Sequence, residues 1–195
     1  ADAARDGPMD LTVYLDRNDL QSAWGPYLTS LVSVDDDGEW PSARGPVYGI
    51  WNKLDMKSLL WKDPGHFDAA GYADPTTWDE TIELSDRIVD VGESPWCMGI
   101  ASSGRDDGWP ASDILEAVVL RQHGPEVYDA WWTHRIPFDD PRIIESAQTM
   151  AELVFTPGYL FRGPAVAART TWVEGPFALA EDPPGCWLIS QPSFV

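Results

Sequence analysis

Thr77-Trp78-Asp79-Glu80 is the stretch that most constrains the fold. A threonine followed three residues later by glutamate forms a capping box. The Thr77 oxygen accepts the Glu80 amide while the Glu80 side chain reaches back. The box predicts a helix running to about Val91 and closed by Gly92. Trp78, Ile82, Ser85 and Val89, flanked by Leu84, Ile88 and Val91, fall on one face at helical spacing. Extended runs lie on both sides of this helix. Before it, Leu54, Met56, Ser58 and Leu60 alternate with Asp55, Lys57, Leu59 and Trp61, a two-residue period that Asp63-Pro64-Gly65 stops. After it, Pro95–Ile100 reads as a short buried strand. Strands separated by helices pair in parallel, so the expected fold is α/β, a mostly parallel sheet flanked by helices. In such sheets ligands sit beyond the carboxyl ends of the strands.

The rest of the chain fits this pattern. Asn18 or Asp19 is a candidate cap for a short helix through Trp24, which Gly25-Pro26 breaks. Tyr27–Val34 is apolar, helical or extended. Asp35-Asp36-Asp37-Gly38 reads as a turn; it lacks the alternating aspartates and distal glutamate of a calcium loop. Glu39–Gly45 is a connector, Val47–Ile50 a short strand, and Asn52 and Lys53 a polar break. Beyond a Ser/Gly/Asp loop ending at Trp109, Ser112 or Asp113 is the expected cap of a helix closed by Gly124. Pro125 and Pro141 each open a further helix at the position where a missing amide costs nothing. The second of these buries Ile143, Ile144, Ala147, Met150, Ala151 and Val154. A short helix over Glu174–Ala180 and a strand over Gly185–Gln191 complete the reading.

Composition excludes several classes. The 195 residues are enough for one substantial domain, and 44% are hydrophobic. A net charge of −19 argues against nucleic acid and anionic membranes as partners. No run of about 18 apolar residues is present, and Ala1–Asp6 has no hydrophobic leader core. His66, His123 and His134 are scattered and Cys97 and Cys186 lie far apart, so no metal site is expected, and no cofactor motif is present.

Eleven tryptophans raise the question of stacking surfaces. Trp78 falls on a helix core face and reads as structural. Trp131 and Trp132 are adjacent on a helix, so at least one of them packs. Trp109 and Trp172 stand in segments where ligand loops of an α/β sheet belong, which makes them candidate contacts.

Several ordered segments carry a family resemblance. They are Tyr48-Gly49-Ile50, Ser58-Leu59-Leu60-Trp61, Gly71-Tyr72, Pro75 to Glu80, Trp96 to Ile100, Gly108-Trp109-Pro110, Gly124 to Asp129, Ile136 to Pro141 and Asp182 to Cys186. Together they resemble the extracellular solute-binding proteins of sugar-type ABC importers, most of all the alpha-glucoside-binding branch. The resemblance implies a periplasmic-binding-protein-like lobe, with residues 1–45 as the end of a first-lobe excursion and 46–195 as the second lobe. It implies a carbohydrate ligand such as maltose or another α-glucoside held between two lobes. It also implies permease subunits as partners, a monomeric state, and an extracytoplasmic protein or lipoprotein whose export signal lies outside these residues. The polar contacts it implies are Asn52 and Asp55 in the crossover and Ser102, Ser103, Arg105 and Asp106 in the loop before Trp109, with Trp172 as an aromatic platform. Trp51 departs from the proline-aromatic dipeptide usual there. For an exported protein, Cys97 and Cys186 are expected to pair, each at the start of a neighbouring strand. The alternative reading is a fragment of a glycoside hydrolase; 32 acidic residues make carboxylate pairs available, but catalysis depends on their spacing.

Overall fold

The structure is a computed structural model that describes residues 7–102, 104 and 107–194. It divides into two units, Ala1–Leu54 and Asp55–Val195.

In the first unit, helix α1 (Arg17–Ser30) is capped by Asp16, whose side chain accepts from the Asn18 and Asp19 amides. The cap therefore stands two to three residues before the expected one. Gly25 at φ 83° kinks the helix and Pro26 restarts it, so the apolar run after it is helical to Ser30. The expected strand over 47–50 reduces to one antiparallel bridge between Ser33 and Val47. Two tryptophan indoles hold the connector to the helix end, Trp51 donating to the Leu28 carbonyl at 2.9 Å and Trp40 to that of Leu31 at 2.8 Å. Asp35 accepts from the Asp37 and Glu39 amides, the bonding of a turn.

The second unit carries the sheet. Strand β1 (Leu59–Lys62) pairs antiparallel with β2 (Leu188–Gln191), with Leu59 opposite Gln191. On the other side of β2, Trp96 forms a parallel bridge to Leu188 and a second parallel bridge to Leu160. The Cys97 amide donates to Leu188 and the Phe161 amide to Trp96. The parallel pairing expected from the strand and helix order thus holds at Trp96, and β1 adds an antiparallel edge, a common arrangement in mixed sheets. The extended run before β1 is shorter than its alternation suggests, because Ser58 sits at φ 61° and breaks the strand.

Helices pack around this sheet. Asp63 caps α2 (Pro64–Ala70). Helix α3 (Trp78–Asp90) has the full capping box of Thr77 and Glu80 and buries Thr81, Leu84, Ser85 and Ile88. Trp78 does not join that packed face; it is 39% exposed, because the first turn overhangs a cavity rather than packed side chains. Helix α4 (Trp109–Trp132) begins three to four residues before the expected cap, from Gly108 at φ 93°, and kinks at Gly124. Helix α5 (Pro141–Phe155) is capped by Asp140. It buries Ile143 and Leu153, while Ile144 faces out at 45% exposure. A short α6 (Pro164–Ala167) and a 3-10 turn (Phe177–Ala180) lead to β2.

The main core joins Phe67, Leu84, Ile88, Trp96, Leu153, Tyr159, Leu160, Trp187 and Leu188. Its polar atoms are satisfied: the Trp96 indole donates to Ser85 at 3.0 Å, the Trp187 indole to Glu93 at 2.8 Å, and the Tyr159 hydroxyl to Asp86 at 2.7 Å. A second cluster surrounds the bonded cysteines with Ala178, Ile189 and Phe161. Cys97 and Cys186 form the expected disulfide, 5.4 Å apart at Cα and 89 residues apart in sequence. Beside it the chain passes very close to itself. A Cβ at Gly99 would stand 2.3 Å from the Thr171 carbonyl oxygen.

Candidate functional site

The parallel segments fix where Trp172 goes. Ala101 bridges Thr171, and the Trp172 amide donates to the Ala101 carbonyl at 3.0 Å. Trp109, the first residue of α4, comes from the loop that follows Ala101. The two rings meet edge to face, with centroids 5.6 Å apart and planes at 64°. Phe194, just beyond β2, completes the group at 5.8 Å from each ring. Trp109 and Trp172 are half-buried and Phe194 is 40% exposed, so the trio has a wet face.

Charged and hydroxyl groups border the rings. Lys57 Nζ lies 5.7 Å from the Trp109 ring centroid and 2.6 Å from Asp113 Oδ1. The Ser193 amide donates to the Met56 carbonyl at 2.8 Å, and the Met56 amide donates to Ser193 Oγ at 3.0 Å. This pairing brings the exposed Asp55 carboxylate to 3.4 Å from Ser193 Oγ. Next to Trp172, Glu174 accepts from the Thr171 hydroxyl at 2.8 Å and the Thr171 amide at 3.2 Å. The hydroxyl bond first, then the amide bond, holds the Glu174 carboxyl below its ordinary range.

Of the residues expected from the sequence, Asp55, Trp109 and Trp172 converge on this region. Ser102 adjoins them through the Ala101 bridge, and its amide donates to Asp107. Ser103, Arg105 and Asp106 lie outside the described residues. Asn52 is exposed in the first unit. Sequence reasoning missed Phe194, Lys57 and Asp113. The signal for Lys57 was present, since it shares a face with Asp55 in the alternating run. Asp113 was read as a helix cap; with the helix starting at Trp109, it lies inside the first turns instead. Phe194 follows a strand end, the position that made Trp109 a candidate.

A cavity of this unit lies elsewhere. It holds about 480 Å³ between α3, α4, α5 and β1, and Trp78, Trp96, Ile114, Val118, Arg121 and Leu153 are among its lining residues. No member of the aromatic trio lines it. Its exposed lining is mainly apolar, although Thr77, Thr81, Arg121, Gln122 and Thr149 also line it. We place the candidate site at the trio because Asp55, Trp109 and Trp172 converge there.

Comparison with known proteins identifies the class. Residues 1–185 match the bacterial extracellular solute-binding proteins, and the chain belongs to that family. It is 35% identical over its whole length to the osmoprotective compounds-binding protein of Synechocystis sp., of which it covers 44%. It is 36% identical over 149 residues to the alpha-glucosides-binding periplasmic protein of Rhizobium meliloti, 76% of this chain and 32% of that protein. The chain therefore spans less than half the length of these curated relatives. Among solved structures, a chitin oligosaccharide binding protein aligns with a TM-score of 0.68 at 18% identity, covering 96% of this chain and 41% of the other. The bacterial solute receptor AcbH aligns with a TM-score of 0.66 at 20% identity, covering 95% and 42%. These alignments show the α/β binding-protein fold. Among the described residues no helix is long and apolar enough to cross a membrane.

Proposed function

We propose that this chain supplies one wall of a carbohydrate site in the substrate-binding component of an ABC importer. The observation that carries the reading is the Trp109, Trp172 and Phe194 trio bordered by Asp55, Ser193 and the Lys57–Asp113 pair. Ring faces stack on the C–H faces of a pyranose, and charged groups at the border bind its hydroxyls by charge-assisted hydrogen bonds. The relatives named for alpha-glucosides and osmoprotective compounds support a small neutral α-glucoside such as maltose as the ligand. In this reading residues 1–45 end a first-lobe excursion and 46–195 belong to the second lobe. The structural division at Leu54 and Asp55 falls just inside the crossover segment that follows residue 45. Permease subunits are the partners, the protein is monomeric and extracytoplasmic, and it turns over no substrate.

Calorimetry with maltose, trehalose and sucrose tests the reading. The full-length protein is expected to bind at least one of them in the micromolar range, worth about 8 kcal/mol. The 195-residue chain alone, with one wall, is expected to retain about half of that, a millimolar affinity. Failure of the full-length protein to bind any saccharide, or hydrolysis of a p-nitrophenyl glucoside, would overturn it.

A further inference from the structure

Gln191 is the last residue of β2 and is 3% exposed. Its backbone is fixed twice, by pairing with Leu59 in β1 and by the Trp61 indole, which donates to its carbonyl at 2.9 Å. The side chain turns toward the aromatic trio, where its Nε2 donates to the Trp172 carbonyl at 3.0 Å. With the Trp172 amide on Ala101, the backbone of Trp172 is then held at both ends. The other end of the Gln191 amide, Oε1, is buried and meets no protein donor among the described residues.

That imbalance is informative. A buried amide that meets a protein partner at one end only gains less from its place than an apolar side chain of the same size. Leucine or methionine would fill the same place. What glutamine alone adds is the bond to Trp172.

We infer that Gln191 is a positioning residue for the ligand site, transmitting the fixed geometry of β2 to Trp172 through a single buried hydrogen bond. The inference rests on the sugar-binding reading of the trio, and it predicts a loss of affinity from a residue that touches no ligand. Replacement by methionine keeps the volume and removes the donor. Replacement by glutamate presents an acceptor to the Trp172 carbonyl when ionised and a donor when protonated.

The experiment uses the full-length protein with maltose as the calorimetric probe, and 5-fluorotryptophan labelling with the Trp172 resonance assigned from Trp172→Phe. In Gln191→Met the maltose affinity is expected to fall about tenfold or more, with a shifted or broadened Trp172 resonance. In Gln191→Glu, burial beside the Trp172 carbonyl raises the carboxyl's pKa, so the loss is expected at alkaline pH, where the group ionises. As the pH falls and the carboxyl regains its proton, affinity is expected to recover toward the wild-type value at the same pH. Wild-type affinity together with an unchanged Trp172 resonance in Gln191→Met would overturn the inference. So would a Gln191→Glu loss that does not respond to pH. If the wild-type protein binds no saccharide, the sugar reading fails by itself. The fluorine resonance still decides whether Gln191 positions Trp172.

Discussion

Two aromatic regions of the Asp55–Val195 unit differ in what surrounds their rings. Trp78 and Trp96 line a cavity with Ile114, Val118 and Leu153. Trp109 and Trp172 meet Phe194 and are bordered by Lys57, Asp113, Asp55 and Ser193. The exposed lining of the first is mostly apolar, with Thr77, Arg121 and Gln122 also among the residues that line it. The second offers ring faces beside groups that bind hydroxyls. Tryptophan alone therefore says little about function; what separates the two regions is that the rings of the second meet one another at a partly exposed face.

Breaking what the regions share should give the largest effect. The disulfide joins the segment that leads from Trp96 to Ala101 with the segment that leads into β2, so it supports both. Replacing Cys97 and Cys186 by alanine is expected to cost about 4–5 kcal/mol in the chain-entropy model for a loop of this length. A large drop in melting temperature checks this, and thiol titration of the denatured, unreduced wild type should find no free thiol. An unchanged melting temperature would mean the bridge constrains little.

Single tryptophan replacements sharpen the comparison at a smaller scale. Trp109→Ala and Trp172→Ala in the full-length protein are each expected to weaken saccharide binding about tenfold or more, roughly 1.4 kcal/mol. Trp78→Ala is expected to leave affinity unchanged. Equal losses from all three would show that the cavity and the trio belong to one site.

The smallest effect concerns two carboxylates, one beside each region. Glu80 accepts from the Thr76 amide and hydroxyl and the Thr77 amide at the cavity, and Glu174 accepts from Thr171 at the trio. Both carboxyls are held below their ordinary value of 4.5, Glu80 first by the Thr76 amide and Glu174 first by the Thr171 hydroxyl. A lowered folded pKa adds stability above the unfolded value, and that contribution is lost as pH falls through the folded one. Carbon-detected titration should therefore find both groups ionising below 4.5. The sign would be wrong if either titrated above it.

Local chemistry made much of the fold legible. The Thr77 and Glu80 box, the Asp140-Pro141 start and the Gly25 and Gly124 breaks are short-range devices, and each stands where the residues indicated. Positions that depend on distant partners were not legible. The strand before β1 shortens because Ser58 adopts a left-handed backbone, which alternation cannot reveal. The overhang of Trp78 depends on how α4 and α5 flank the first turn of α3. At the site, Trp109 and Trp172 could be read from their place in the strand and helix order. Phe194 and Asp113 join them only through the sheet register and the early start of α4.

The close passage at Gly99 has a consequence for any selection experiment on this protein. Thr171, whose carbonyl leaves no room for a Cβ at Gly99, immediately precedes Trp172. Alanine at that position would push the Thr171 backbone outward and carry the neighbouring ring with it, although glycine gives a ligand nothing to hold. A screen that ranks positions by lost binding would score Gly99 beside the rings themselves. Clearance between two stretches of backbone thus limits how far this wall can drift in sequence, independently of the side chains that face the ligand.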